Sequence, residues 1–156
     1  MLLSMPVNSP TYYVIYDGRC NLCVNLVRVL ESLDQGMRFC YAPMQAEETL
    51  AALGVTPADC ELGMILIDAA SPDQRWQGSA AAEEIGRILP MGAVFVEAYR
   101  RMPGVKPTGD RLYEQVRDNR YQWFGKRDRL YESAYPLCEA DVCARAFDAT
   151  APSADA

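Results

Sequence analysis

Two cysteines three residues apart, Cys20 and Cys23, are the side chains of this sequence best suited to chemistry. A thiolate attacks sulfur, and a second thiol within reach can displace whatever the first has captured, so such a pair is sufficient for thiol-disulfide exchange. The pair sits in Asp17-Gly18-Arg19-Cys20-Asn21-Leu22-Cys23. Where a helix begins, the first backbone N–H groups have no partner in the helix and the dipole is positive, which favours a thiolate over a thiol. Arg19 adds positive charge beside Cys20 and Asp17 opposes it. Cys20 is therefore expected to be the outer, more acidic sulfur that attacks, and Cys23 the inner one that resolves. Cysteines at i and i+3 of a helical turn reach disulfide geometry without large backbone movement.

The flanking residues supply the strand, turn and helix that this placement requires. Tyr12, Tyr13, Val14, Ile15 and Tyr16 read as a buried strand that stops at the turn pair Asp17-Gly18. Leu22, Leu26, Val29, Leu30 and Leu33 then recur at helical spacing and predict the inward face of a helix that Gly36 ends. Met37 to Ala42 reads as a second strand, which closes a β-α-β unit with parallel strands and a right-handed crossover.

Ala46 to Leu53, closed by Gly54, predicts a short helix with Leu50 and Leu53 inward, and Thr56-Pro57 opens a loop that includes Cys60. Met64 to Ile67 and a shorter strand around Arg75-Trp76-Gln77 form an antiparallel hairpin, and Ser79 is expected to cap a helix stopped by Pro90. Further helices are expected over Met91 to Arg101 and Asp110 to Trp123, with Pro103-Gly104 and Pro107 breaking the chain between them.

The segment Asp17 to Cys23 after an apolar strand resembles the DCC family of thiol-disulfide oxidoreductases, named for D-x-x-C-x-x-C and similar to thioredoxin in fold. The likeness extends to Arg38-Phe39 with Ala42-Pro43-Met44-Gln45, and to Asn119-Arg120-Tyr121-Gln122-Trp123-Phe124-Gly125-Lys126-Arg127-Asp128. It implies an α/β, thioredoxin-like fold: a central mixed sheet of about four strands flanked by helices, with additional C-terminal helices. The order of the predicted elements agrees. The resemblance also implies an enzyme that exchanges thiols and disulfides through Cys20 and Cys23, with Asp17, Gly18 and Arg19 in support and no cofactor.

The closing signature brings in Arg120, Trp123, Arg127 and Asp128, with Trp123 and Phe124 expected to pack onto the sheet and Arg120 or Arg127 to approach the thiolate. Thioredoxins carry a cis-proline before the third core strand; Glu61-Leu62-Gly63 stands there instead, and Gly63 allows a close backbone approach on the substrate side. The implied partners are a thiol or disulfide substrate, proteins among the candidates, and an external thiol reductant such as glutathione or a thioredoxin.

Composition narrows the rest. A chain of 156 residues is expected to form one domain, here residues 11–148, with a flexible N-terminus over 1–10 and a disordered tail over 149–156. With no histidine, Ser-His-Asp and Cys-His hydrolases are excluded. Tyr99 to Tyr131 holds nine Lys or Arg against four Asp or Glu, yet the net charge of −6 steers poorly to polyanions, so no nucleic-acid partner is expected. No apolar run approaches a membrane span or an export signal, which predicts a cytoplasmic protein with no membrane partner. Six cysteines in a reducing compartment suggest thiols, a redox pair or metal ligands. Two alternatives stay open: a zinc-binding protein using Cys20, Cys23, Cys138 and Cys143, and a thioredoxin-like interaction module without turnover.

Overall fold

In a computed structural model of the chain, which describes residues 12–89 and 92–136, the expected strand, turn and helix open the fold. Strand β1 (Tyr12–Tyr16) leads into helix α1 (Asn21–Asp34), and strand β2 (Phe39–Pro43) returns parallel to β1. Strand β3 (Ile65–Asp68) pairs antiparallel with β1, and β4 (Arg75–Gln77) antiparallel with β3. The sheet order is β2-β1-β3-β4. The fold is thus α/β with a four-stranded mixed sheet flanked by helices, the arrangement of a thioredoxin-like domain.

Val14, Ile15 and Tyr16 of the central strand are all buried, because helices cover both faces of the sheet. On one face Val14, Tyr16 and Leu66 pack with Val27 and Leu30 of α1 and with Ala81 and Ile85 of α4 (Ser79–Ile88). On the other, Ile15, Ile65 and Ile67 meet Leu50 of α2 (Glu47–Ala52) and Cys60 of α3 (Pro57–Glu61). Helices α5 (Gly92–Arg101), α6 (Val105–Asp118) and α7 (Arg120–Phe124) follow α4.

Several expectations are corrected. The loop at Thr56-Pro57 is helix α3: the Thr56 hydroxyl accepts from the Asp59 N–H while the Asp59 carboxylate accepts from the Thr56 N–H, a reciprocal cap. Gly78, not Ser79, precedes α4, and Ser79 is its first residue. Pro107 does not break the chain but lies in the first turn of α6, where a missing N–H costs no helical hydrogen bond. The helix expected to reach Trp123 ends at Asp118, and Arg120–Phe124 is a separate turn. Trp123 and Phe124 do not pack onto the sheet; both are exposed.

Helix α1 carries two apolar stripes, and the inward one is Val24, Val27 and Leu30. Leu26, Val29 and Leu33 are 48, 54 and 61 % exposed. The inward stripe ends in a charged residue, Asp34, whose carboxylate accepts from the N–H groups of Arg38 (2.8 Å) and Phe39 (2.9 Å) and so fixes the passage from α1 into β2. No helix among the described residues is long and apolar enough to cross a membrane.

Replacing Asp34 with Ala strands two backbone donors, one of them buried, and is expected to lower unfolding stability by about 3 kcal/mol. Urea titration checks this: the midpoint falls while the slope is unchanged.

Candidate active site

The end of β1 delivers the chain to Asp17, and the turn that follows sets Cys20 as the N-cap of α1, in extended backbone conformation (φ −91°, ψ 121°). In this position the Cys20 Sγ accepts from the Cys23 N–H at 3.4 Å. The Cys20 pKa is lowered to about 6, chiefly because the Cys23 thiol donates a hydrogen bond to it. Burial works against the thiolate, the N–H groups of Cys23 and Leu22 favour it, and the Asp17 charge opposes it.

The same contact pushes the Cys23 pKa up, since that thiol is held as the donor; burial and the charges of Cys20 and Asp17 add to the effect, and Arg120 offsets part of it. The two sulfurs therefore share one proton, and titrate as a pair.

The exposure of the two sulfurs is the reverse of the sequence expectation. Cys20 is 0 % exposed, whereas Cys23 is partly exposed and lines a cavity of about 240 Å3 that Cys20 does not line. Cys20 is covered by a segment more than a hundred residues away. Lys126 forms an isolated antiparallel bridge with Cys20, the Asn21 N–H donates to Gly125 O (3.3 Å), and the Arg127 N–H donates to Arg19 O (2.6 Å). The Asn21 amide donates to Phe124 O (2.8 Å), and the Tyr131 N–H to Gly18 O (2.9 Å).

Asp17 joins the turn to this covering segment. Its carboxylate accepts from the Arg19 N–H (3.0 Å), the Gln45 amide (2.9 Å), the Tyr121 hydroxyl and the Arg120 guanidinium (3.4 Å). Burial would raise its pKa, but the hydrogen bonds from Tyr121, Gln45 and Arg19 together with the Arg120 charge outweigh it, and the pKa is lowered. Gly18 is crowded: a Cβ there would lie 2.5 Å from Leu130 Cδ1. Its N–H donates to Gln45 Oε1 (3.2 Å).

Of the two arginines expected near the sulfurs, Arg120 arrives, close enough to influence Cys23. Arg127 brings its main chain to Arg19 while its guanidinium lies 5.8 Å from the Tyr131 ring centroid. Asp128 contributes only its carbonyl, which accepts from Arg19 Nη1 at 3.4 Å. Trp123, 54 % exposed, stands apart from the sulfurs' hydrogen-bond network.

Gly63, at φ +117°, lines the same cavity as Cys23, but a close backbone approach to it is already taken. A Cβ on Gly63 would lie 2.7 Å from the Tyr113 hydroxyl, which accepts from the Met64 N–H at 3.2 Å. Tyr113, Gln45 and Tyr121 are site residues to which sequence reasoning gave no role. No group of three or more potential ligands able to hold a metal occurs among the described residues, while Cys138 and Cys143 lie outside them.

A cysteine pair at the start of the first helix of a thioredoxin-like sheet, with one sulfur acidified by the other, defines a dithiol protein of the thioredoxin-like class. The chain belongs to the DCC1-like thiol-disulfide oxidoreductase family, whose model matches residues 14–126. It is similar to an uncharacterized protein of Bacillus subtilis (strain 168), YuxK, with 27 % identity over 121 residues, 76 % of this chain and 85 % of the relative. No solved structure matches the chain significantly.

Because the Cys23 thiol is the largest cause of the low Cys20 pKa, Cys23→Ala is expected to move the Cys20 titration up from about 6 toward its ordinary value of 9.0. The thiolate ultraviolet absorbance followed against pH reads the shift, and an unmoved midpoint would contradict the shared-proton account.

Proposed function

We propose that the chain catalyses thiol-disulfide exchange in the cytoplasm, with Cys20 as the attacking thiolate and Cys23 as the resolving thiol. The single observation that carries this reading is the hydrogen-bonded sulfur pair at the N-terminus of α1, with the Cys20 pKa held near 6. The Cys20 thiolate attacks one sulfur of a substrate disulfide, forming a mixed disulfide and expelling the other half as a thiolate. Cys23 then loses its proton and attacks Cys20 Sγ, which expels the second half. The pair is oxidised by two electrons and the substrate is reduced to two thiols, so an external thiol must restore the dithiol.

Access sets the remaining condition. With Cys20 covered in the resting state, the Gly125–Arg127 segment must move off before a substrate sulfur can reach it. Asn21→Ala removes the side-chain tie to Phe124 O. Alkylation of Cys20, mapped by mass spectrometry in a Cys23→Ser background, is expected to accelerate several-fold over the same background with Asn21 intact; an equal rate would refute the covering role.

Turnover of a soluble disulfide with an excess of dithiol tests the function itself. Cys20→Ser is expected to lower the rate at least about a hundredfold, and Cys23→Ser to accumulate the mixed disulfide on Cys20. Equal, negligible rates in wild type and Cys20→Ser would leave a binding module, and stoichiometric zinc in the unreduced protein would favour the metal-binding reading.

A further inference from the structure

The two sulfurs differ in what lies over them. The bonds that fasten the covering segment fall on residues 18 to 21: Gly18 O accepts from the Tyr131 N–H (2.9 Å), Arg19 O accepts from the Arg127 N–H (2.6 Å), and Asn21 gives its N–H to Gly125 O (3.3 Å) and its side-chain amide to Phe124 O (2.8 Å). They bracket Cys20, whose main chain forms the isolated bridge with Lys126. None of them uses a sulfur atom or reaches Cys23, which is partly exposed and lines the cavity.

The same contacts govern the oxidised protein. Two sulfurs already in hydrogen-bond contact across one helical turn close a disulfide with little backbone movement. Because the fastenings are main-chain and amide groups, they survive that closure, and so do the Tyr121 and Arg120 contacts that hold the preceding helical turn to Asp17. The disulfide therefore has unequal ends: Cys20 lies beneath the cover and Cys23 faces the cavity.

Leaving-group chemistry selects the same end. A thiolate that attacks one sulfur of a disulfide expels the other, and the more acidic thiol leaves faster. Attack on Cys23 expels Cys20, whose pKa is about 6, whereas attack on Cys20 would expel Cys23, whose pKa is pushed up. Access and acidity thus single out Cys23 for the half-reaction that restores the dithiol.

We propose that the protein is oxidised at one sulfur and reduced at the other: a substrate disulfide reacts at Cys20 when the cover lifts, and an external dithiol reacts at Cys23 with the cover in place. This rests on the exchange reaction proposed above and assigns its second half-reaction and the class of its reductant. One thiolate of the dithiol bonds to Cys23 Sγ and breaks the protein disulfide, leaving Cys20 as a thiolate. The second thiolate attacks the reductant's own bound sulfur, closes a disulfide within the reductant and expels Cys23, which takes a proton. The protein gains two electrons and the reductant loses two; of the reductant's two protons, one goes to Cys23 and the other to solvent. A dithiol suits this route because Cys23 leaves poorly, and a second thiol tethered beside it acts at a high effective concentration.

The test uses the full-length protein oxidised with diamide, so that its preparation does not depend on any substrate disulfide. Rapid mixing with the monothiol 2-mercaptoethanol, followed by an acid quench, traps the first adduct, and tandem mass spectrometry locates it. The expected result is an adduct on Cys23 in about tenfold excess over Cys20. An adduct chiefly on Cys20 overturns the proposal and leaves the exchange reaction standing. Dithiothreitol is expected to carry the oxidised protein to the dithiol at least about a hundredfold faster than 2-mercaptoethanol at equal thiol concentration, and comparable rates overturn the assignment of a dithiol.

Single-turnover rates separate the two routes. Asn21→Ala, which loosens the cover, is expected to speed oxidation of the dithiol by hydroxyethyl disulfide several-fold and to leave reduction of the disulfide by dithiothreitol within about twofold of wild type. Acceleration of both half-reactions, or of neither, overturns the proposal. Should hydroxyethyl disulfide fail to oxidise the dithiol, the exchange reaction falls, and the position of the trapped adduct still decides which sulfur meets a reductant. Failure of diamide to join Cys20 to Cys23 refutes both.

Discussion

Everything at this site depends on two sulfurs holding one proton where a helix begins. Seated as the N-cap of α1, Cys20 meets N–H groups that have no helical partner, and Cys23, one turn on, supplies both an N–H and a thiol. The asymmetry that follows is chemical rather than positional: two identical side chains become a thiolate and a tightly held thiol because one receives the hydrogen bond and the other gives it. The strand before them and the helix after them are what hold that geometry, and the sheet is built so that its central strand ends there.

A second layer works through Asp17. It lies on the acidic side of the balance, where its charge disfavours the thiolate, and yet the structure invests four different donors in keeping it ionised. Its structural task explains this. Tyr121 and Arg120 belong to the helical turn immediately before the Gly125–Arg127 segment, and Gln45 belongs to the loop after β2. One carboxylate thereby registers two distant pieces of chain around the cysteine turn, and the electrostatic cost to Cys20 is offset by the sulfur-sulfur contact.

Much of this was legible in the amino-acid order, and the parts that were not have physical reasons. The Tyr12–Tyr16 run, the Asp17-Gly18 turn and the cysteine spacing are local signals, and the strand pairing of the sheet follows from them and from the hairpin at Ile65 to Gln77. The face of α1 was misjudged because the helix bears two apolar stripes: periodicity reveals that both exist but not which one meets the sheet. Helix α3 had a readable signal, Thr56 three residues before Asp59, hidden by a proline that marks helix starts as well as loops. The burial of Cys20 by Lys126, and the capture of the Met64 N–H by Tyr113, join residues 106 and 49 apart in the chain, and no local pattern encodes such contacts.

The C-terminal residues that return to the fold have a further consequence. Tyr131 and Ser133 donate to the Glu31 carboxylate, and the Tyr41 N–H donates to Tyr135 O, so the last described stretch is stitched both to α1 and to the outer edge of β2. Among the described residues these stitches are the last that a growing polypeptide makes. On the ribosome the cysteine turn emerges about a hundred residues before Gly125–Arg127, so the nascent chain passes through a stage in which Cys20 lacks the cover that this segment supplies.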